Sequence, residues 1–213
     1  MSYDDAPTLR PQLRELVLDG LRDSIGERPA EPDGPVVLAD AATQRRLEAL
    51  AELTFAGRRV LDLGAGIGDV SRYARRSGAE LVDAIDRDAD RVELGRLLTV
   101  LQDVDRISWF EGDAGLASTY ADEYDFIFAF GPALEAMRPI LPRVVQNLRG
   151  VLVCELRGDR GGAIEEALTG LLPAQQVFVE EDDVAVVACA AEHSVLRQHL
   201  AGDGATQQAE TAR

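Results

Sequence analysis

From Val60 to Asp69 the chain reads VLDLGAGIGD, a short apolar strand running into glycines at 64, 66 and 68 and then into helix-forming sequence. A strand that must turn at once into a helix restricts the fold to layered α/β arrangements, because the helix has to pack back on the sheet its strand belongs to. Glycines at alternate positions let the backbone turn sharply and leave no Cβ atoms between the loop and a ligand, and the new helix end supplies N–H groups to polar ligand atoms. The segment therefore reads as a nucleotide-type ligand site. A dinucleotide fingerprint, G-x-G-x-x-G, would need glycine at 69, where Asp69 stands, so an NAD site is disfavoured.

If the loop holds a nucleoside, an acidic residue should follow at the end of the next strand, where a carboxylate can accept hydrogen bonds from ribose hydroxyls. Residues 79–85 (AELVDAI) read as that strand, and Asp86 ends it with Arg87 beside it. A third strand candidate, Ile107 to Glu111, leads into Gly112-Asp113-Ala114, and a fourth, Tyr124 to Phe130, ends in Gly131-Pro132. Taken together, Asp62-x-Gly64-x-Gly66-x-Gly68, Asp86, Asp113 and the fourth strand resemble, in order, the motifs of the class I S-adenosylmethionine (SAM) methyltransferases. The resemblance covers roughly residues 40–190 and implies SAM as cofactor. It implies contacts from Asp62 to the amino group, from Gly64, Ala65, Gly66 and Gly68 along the loop, from Asp86 and Arg87 at the ribose, from Asp113 and Ala114 at the adenine, and from Phe130 beside the methyl.

The alternation along the rest of the chain agrees with a doubly wound, mostly parallel seven-stranded sheet. Strands are expected at 59–63, 80–85, 106–111, 125–130 and 150–155, with helices at 67–78, 88–102, near 115–121, and at 133–148. Residues 175–181 and 184–190 are two strand-like runs separated only by Asp182-Asp183, too short for a helical crossover, so they form a terminal antiparallel hairpin. In the family the last strand inserts beside the fifth, which would bring Cys189 near Cys154. Ahead of the sheet, an amphipathic helix is expected within 8–25, a Pro/Gly-rich connector at 26–35 and a second helix at 40–53. The expected division is an N-terminal helix and connector at 1–38, the SAM-binding domain at 39–192, and a flexible C-terminal tail at 193–213.

Several residues carry two readings. Asp62 either caps its own loop or reaches the cofactor, Asp86 either caps the following helix or holds the ribose, and Asp113 is either a turn residue or an adenine contact. Trp109 and Phe110 read as structural, one facing core and one a helix layer. His193 and His199 read as surface histidines, and the face bearing Arg72, Arg75 and Arg76 as solvated or paired with Asp69. Cys154 and Cys189 read as core thiols, and no metal site is expected.

No lysine is present: all 22 basic residues are arginine, against 38 acidic ones, for a net charge of −16. Such a surface repels polyanions, so nucleic acid is a disfavoured partner and the expected substrate is a small molecule. A GC-rich genome and a high-salt cytoplasm both account for the bias, and the second predicts a fold that weakens in dilute buffer. Without a long apolar run or an export signal, the sequence reads as cytoplasmic with no membrane partner. The pocket would be closed by residues 8–38 or by a second subunit, which makes a homodimer an expectation. Methyl transfer is an in-line displacement that needs no dedicated base. The catalytic residue is left unassigned, with Glu135, Glu155, Tyr120 and Tyr124 as candidates where an acceptor proton must leave. The fourth strand lacks both the Asn/Asp-Pro-Pro-aromatic signature of amino-group base methyltransferases and the aspartate of magnesium-dependent enzymes. Besides a small-molecule methyltransferase, an RNA or protein methyltransferase and a non-catalytic binding or regulatory protein on the same fold are the alternatives.

Overall fold

A computed structural model describes residues 15–17, 19–20, 41–116, 122–157, 161–181 and 184–200. Seven strands form one sheet: β1 (Arg59–Leu63), β2 (Leu81–Asp86), β3 (Ile107–Glu111), β4 (Tyr124–Ala129), β5 (Leu148–Arg157), β6 (Ala174–Glu181) and β7 (Val184–Ala190). Their order is β3-β2-β1-β4-β5-β7-β6. The first five are parallel, and β7 runs antiparallel between β5 and β6. The expected fold, including the closing hairpin with its last strand inserted beside the fifth, is therefore the observed one. Cys189 pairs across from Leu152, two positions from Cys154, and the two buried thiols are hydrogen-bonded.

Helices α1 (Ala41–Ala51), α2 (Asp69–Arg76), α3 (Ala89–Leu101), α4 (Pro132–Met137), α5 (Leu141–Gln146), α6 (Gly161–Leu171) and α7 (His193–His199) cover the sheet. Because both faces are covered, the central strands are apolar at successive positions and split their side chains between two cores. Leu61, Leu63, Ile127, Ala129, Leu152 and Cys154 pack with α4, α5 and α6. Val60, Phe126, Phe128, Phe130, Val151 and Val153 pack with α1, α2 and α7.

The helix expected over 133–148 is three pieces, α4, a 3₁₀ turn at Arg138–Ile140 and α5, because Pro139 and Pro142 lack the N–H groups a continuous helix would use. Asp88, not Asp86, caps α3, its carboxylate accepting from the N–H groups of Asp90 and Arg91. The short helix expected near 115–121 falls largely outside the described residues, as do the connector at 26–35 and the tail beyond Leu200.

Two boundaries move. Residues 15–17 and 19–20 are helical, and Val17 is buried against Leu94 and Leu98 of α3, so this helix shares the domain's core. At the other end, residues 193–199 are not tail but helix α7, with Leu196 and His199 buried. Its end is stitched to the segment before β1, where the N–H of Thr54 donates to the His199 carbonyl at 2.8 Å and Leu53 bridges Leu200. His199 is thus not a surface residue. Its ring stacks edge-on against Phe126 with centroids 5.0 Å apart, in space left by Gly150, where a Cβ would lie 2.6 Å from Nε2. His193 is exposed as expected.

Candidate functional site

The sheet reverses its strand order between β1 and β4, and in open α/β sheets ligands bind in the crevice beyond the strand ends at such a point. A cleft of about 170 Å³ lies there, at the C-terminal ends of β1, β2, β3 and β4. Of the ten residues expected to meet the cofactor, six line it: Gly64, Asp86, Arg87, Asp113, Ala114 and Phe130. Arg91, Gly112, Pro132, Ala133 and Ala136 complete the wall. The last three come from α4. Only the glycine and proline after the fourth strand hinted at them, by marking where a helix begins over the strand ends.

The glycine loop has φ values of 68°, 57° and 84° at Gly64, Gly66 and Gly68, a left-handed backbone that favours glycine at all three. Their tasks differ. A Cβ on Gly64 would lie 3.0 Å from the Ala133 Cβ, so glycine there lets α4 close over the loop. A Cβ on Gly68 would lie 2.2 Å from Trp109 Cη2, and one on Gly95 of α3 only 2.3 Å from the same atom. Trp109 is therefore wedged between loop and helix. Gly68 sits under that ring rather than in the cleft, and its glycine is required by packing. Phe110 is half exposed on the edge strand, so of the two aromatic residues only Trp109 is buried.

The loop spends its N–H groups internally. Those of Gly64 and Ala65 donate to the Ile85 carbonyl at 2.8 and 3.0 Å, that of Gly66 to Asp86 Oδ2 at 2.8 Å, and that of Gly68 to the Ala65 carbonyl at 2.8 Å. These four N–H groups are therefore already engaged within the domain. A pyrophosphate, which needs such donors, is poorly served. A ligand held by close backbone approach and by carboxylates is well served. Asp86 is 6% exposed, and its two oxygens accept one backbone N–H each, from Gly66 and Asp88. A carboxylate has about four acceptor positions, so Asp86 keeps capacity for a diol on the cleft side. Asp113 closes a turn, its Oδ1 accepting from the Gly115 N–H at 2.7 Å, and it also lines the cleft.

Asp62 lies behind the loop, 1% exposed, and outside the cleft wall. The Ser71 hydroxyl donates to its Oδ2 at 2.5 Å. Burial raises its pKa from 3.8 to about 6, against the Ser71 hydrogen bond and the Arg46 charge, with Asp86 and Asp69 adding repulsion. Arg72 belongs to the same buried layer. At 2% exposed it is not solvated, but it pairs as expected with Asp69, at 2.6 Å.

Of the candidate bases, Tyr124 stands at the opposite end of β4, where its hydroxyl donates to Asp83 at 2.9 Å and burial raises its pKa. It is out of reach of the cleft. Tyr120 lies outside the described residues. Glu135 is half exposed, its carboxylate 4.0 Å from Arg138 on the same helix segment. Glu155 is buried at the end of β5 and accepts from Arg46 Nε at 2.9 Å. Among the described residues, no group of three His, Cys, Asp or Glu side chains could hold a metal ion, and no helix is long and apolar enough to cross a membrane.

Residues 60–154, which run from β1 through the cleft to the end of β5, match the family model of a methyltransferase domain. These residues form a methyltransferase domain, on the fold of the class I SAM-dependent enzymes. SAM is accordingly the cofactor of this methyltransferase. Its fold is shared with the ribosomal protein L11 methylase of Lactobacillus delbrueckii subsp. bulgaricus, at 18% identity and a TM-score of 0.62 over 74% of this chain and 81% of that one. The N-methyltransferase NodS of Bradyrhizobium japonicum is similar at 18% identity and TM-score 0.53, over 71% and 95%. A 16S rRNA N2 G1207 methyltransferase of T. thermophilus, solved with AdoMet and guanosine, is similar at 19% identity and TM-score 0.53, over 84% and 43%. No curated protein matches the sequence. The residues at the cleft fit the cofactor. Asp86 retains acceptor capacity for a diol, Gly64 has no Cβ to obstruct the loop, and Phe130, Pro132 and Ala133 give an apolar wall.

Proposed function

We propose that this methyltransferase transfers the SAM methyl group to a small organic acceptor, with Asp86 holding the ribose and Phe130 beside the methyl. The observation that carries the reading is the cleft itself. It is small, it crosses the switch point, and its α4 side is apolar and packed down on Gly64. The net charge of −16 argues against a polyanionic substrate. When bound, SAM supplies an electrophilic methyl on a sulfonium, and the chain's contribution is to position the acceptor in line behind it and keep water out. Asp62 supports this from behind by fixing, through Ser71, the start of the helix that follows the loop. A second subunit would close the open side.

The chain carries a single tryptophan, and Trp109 touches the end of the glycine loop, so its fluorescence is a built-in reporter. Titration with SAM should change it saturably, and NAD should not. Asp86→Ala should weaken SAM at least about tenfold, since hydrogen bonds to a charged acceptor are worth roughly 1.5–3 kcal/mol each. Folded protein that binds no SAM would refute the proposal. SAM binding with methyl transfer to RNA fragments and to no small acceptor would refute its substrate half.

A further inference from the structure

On the face of the sheet covered by α1, Phe130 and Glu155 stand side by side at the ends of β4 and β5, one position beyond the paired Ala129 and Cys154. Arg46 of α1 lies across both. Its guanidinium carbon is 5.0 Å from the centre of the Phe130 ring, and its Nε and Nη2 each lie 2.9 Å from Glu155 Oε2. The Glu155 side chain is 1% exposed and that of Arg46 21%. A carboxylate beside an aromatic face is a site for an organic cation, and here a cation already occupies it. Phe130 also lines the cleft, so the guanidinium seat and the cleft share a wall.

We propose that the methyl acceptor is an amine whose ammonium head takes the seat Arg46 fills, on the face of Phe130 and against Glu155. The inference rests on the methyltransferase reading above and adds the acceptor atom, nitrogen. The charge around the seat favours a cation over an anion. An incoming carboxylate could pair with Arg46, but it would face Glu155, and the Asp62 carboxylate also lies within electrostatic reach of Arg46. An incoming ammonium keeps every attraction that Arg46 now enjoys. Arg46 reaches the seat from a helix surface on a long stem, a fifth exposed, and can swing into water, where a guanidinium is well solvated.

The chemistry balances with SAM alone. The ammonium gives a proton to the Glu155 carboxylate, which frees the nitrogen lone pair. That pair forms the N–CH₃ bond as the S–CH₃ bond breaks, and its electrons return to sulfur, leaving a neutral thioether and a methylammonium. Glu155 then passes its proton to solvent as Arg46 returns.

The test uses the whole chain and three probes of one shape: benzylammonium, benzyl alcohol and phenylacetate. Benzylammonium should bind the Arg46→Met variant about tenfold or more tightly than wild type, because the competing cation is gone. Adding Glu155→Gln should abolish that binding, and the alcohol and the carboxylate should bind neither protein. With SAM, wild type should yield N-methylbenzylamine by mass spectrometry, and Glu155→Gln should not. Phenylacetate binding to wild type and lost in Arg46→Met would overturn the proposal, marking Arg46 as an anion clamp. So would benzylammonium binding indifferent to both substitutions. If Arg46→Met fails to fold, Arg46→Lys serves, with the same order of probes and a smaller gain. SAM titrations of the same proteins separate two failures. Amine binding absent while SAM binds refutes the amine acceptor alone, whereas wild type that binds no SAM refutes the methyltransferase reading.

Discussion

Replacing Asp62 by asparagine should make this protein more stable at neutral pH, although it removes a charged hydrogen-bond acceptor from the core. Asp62 is 1% exposed, and its pKa lies near 6 in the fold against 3.8 ordinarily. A carboxyl whose pKa is higher folded than unfolded holds its proton more tightly in the native state. Its contribution to stability is therefore fully present below pH 3.8, falls as pH rises toward 6, and levels off above. Across that interval, at about 1.36 kcal/mol per pH unit, the ionised carboxylate costs about 3 kcal/mol at pH 7. Asparagine has the same shape, its carbonyl can accept the Ser71 hydroxyl, and it never ionises. Asp62→Asn should thus gain about 3 kcal/mol at pH 7, equivalent to roughly 6–12 °C in melting temperature for a chain of this size. The gain should vanish near pH 4. Urea unfolding of both proteins at pH 7 and pH 4 measures it directly. A gain that is the same at both pH values, or a loss at pH 7, would show that burial does not govern this carboxyl. Retention of so costly an ion in the wild-type core agrees with a role at the cofactor, and the stabilised variant should bind SAM less tightly.

Gly68→Ala places a methyl 2.2 Å from the Trp109 ring at a φ of 84°, so it should cost about 2–4 kcal/mol and shift the tryptophan emission, both visible in one fluorescence-monitored melt. At Gly66 a Cβ would meet nothing within 4 Å, so Gly66→Ala should cost only about 1 kcal/mol, from backbone strain. Burial holds the pKa of His199 below 6.5. The neutral ring is thus the native form, and its contribution is present above pH 6.5 and lost as pH falls. His199→Phe should remove that acid-side loss, so a difference between the denaturation midpoints of the two proteins that stays constant from pH 8 to 5 would show that the ring is not responsible.

The parallel sheet was legible because each central strand is a run of apolar residues bounded by glycine or aspartate, and the hairpin because two residues cannot carry a helix across. The motif carboxylates were legible for a similar reason. Asp86 and Asp113 sit where a strand ends, and strand ends in such a sheet share one edge. Contacts set by the third dimension were not legible. Arg46 and Glu155 meet across 109 residues of chain, and nothing in the helix bearing Arg46 marks one arginine among its neighbours. Trp109 gave no sign that two glycines, 41 and 14 residues before it, exist to admit its ring. Arg72 looked solvated because helical spacing sorts faces but not depth, and Asp69 and the Ile67 carbonyl hold its guanidinium below the surface.

The stitch between α7 and the segment before β1 decides from which side the protein can be handled. Thr54 holds the His199 carbonyl, and the His199 ring packs beside Asp125 and Gly150 at the starts of β4 and β5. The cleft opens at the other ends of those strands. A tag or surface tether joined after Leu200 would therefore start from the far edge of the sheet and leave the cleft facing solution. Immobilised protein should accept its ligands as the free protein does, whereas trimming the chain back past His199 would remove the ring that fills the space beside Gly150.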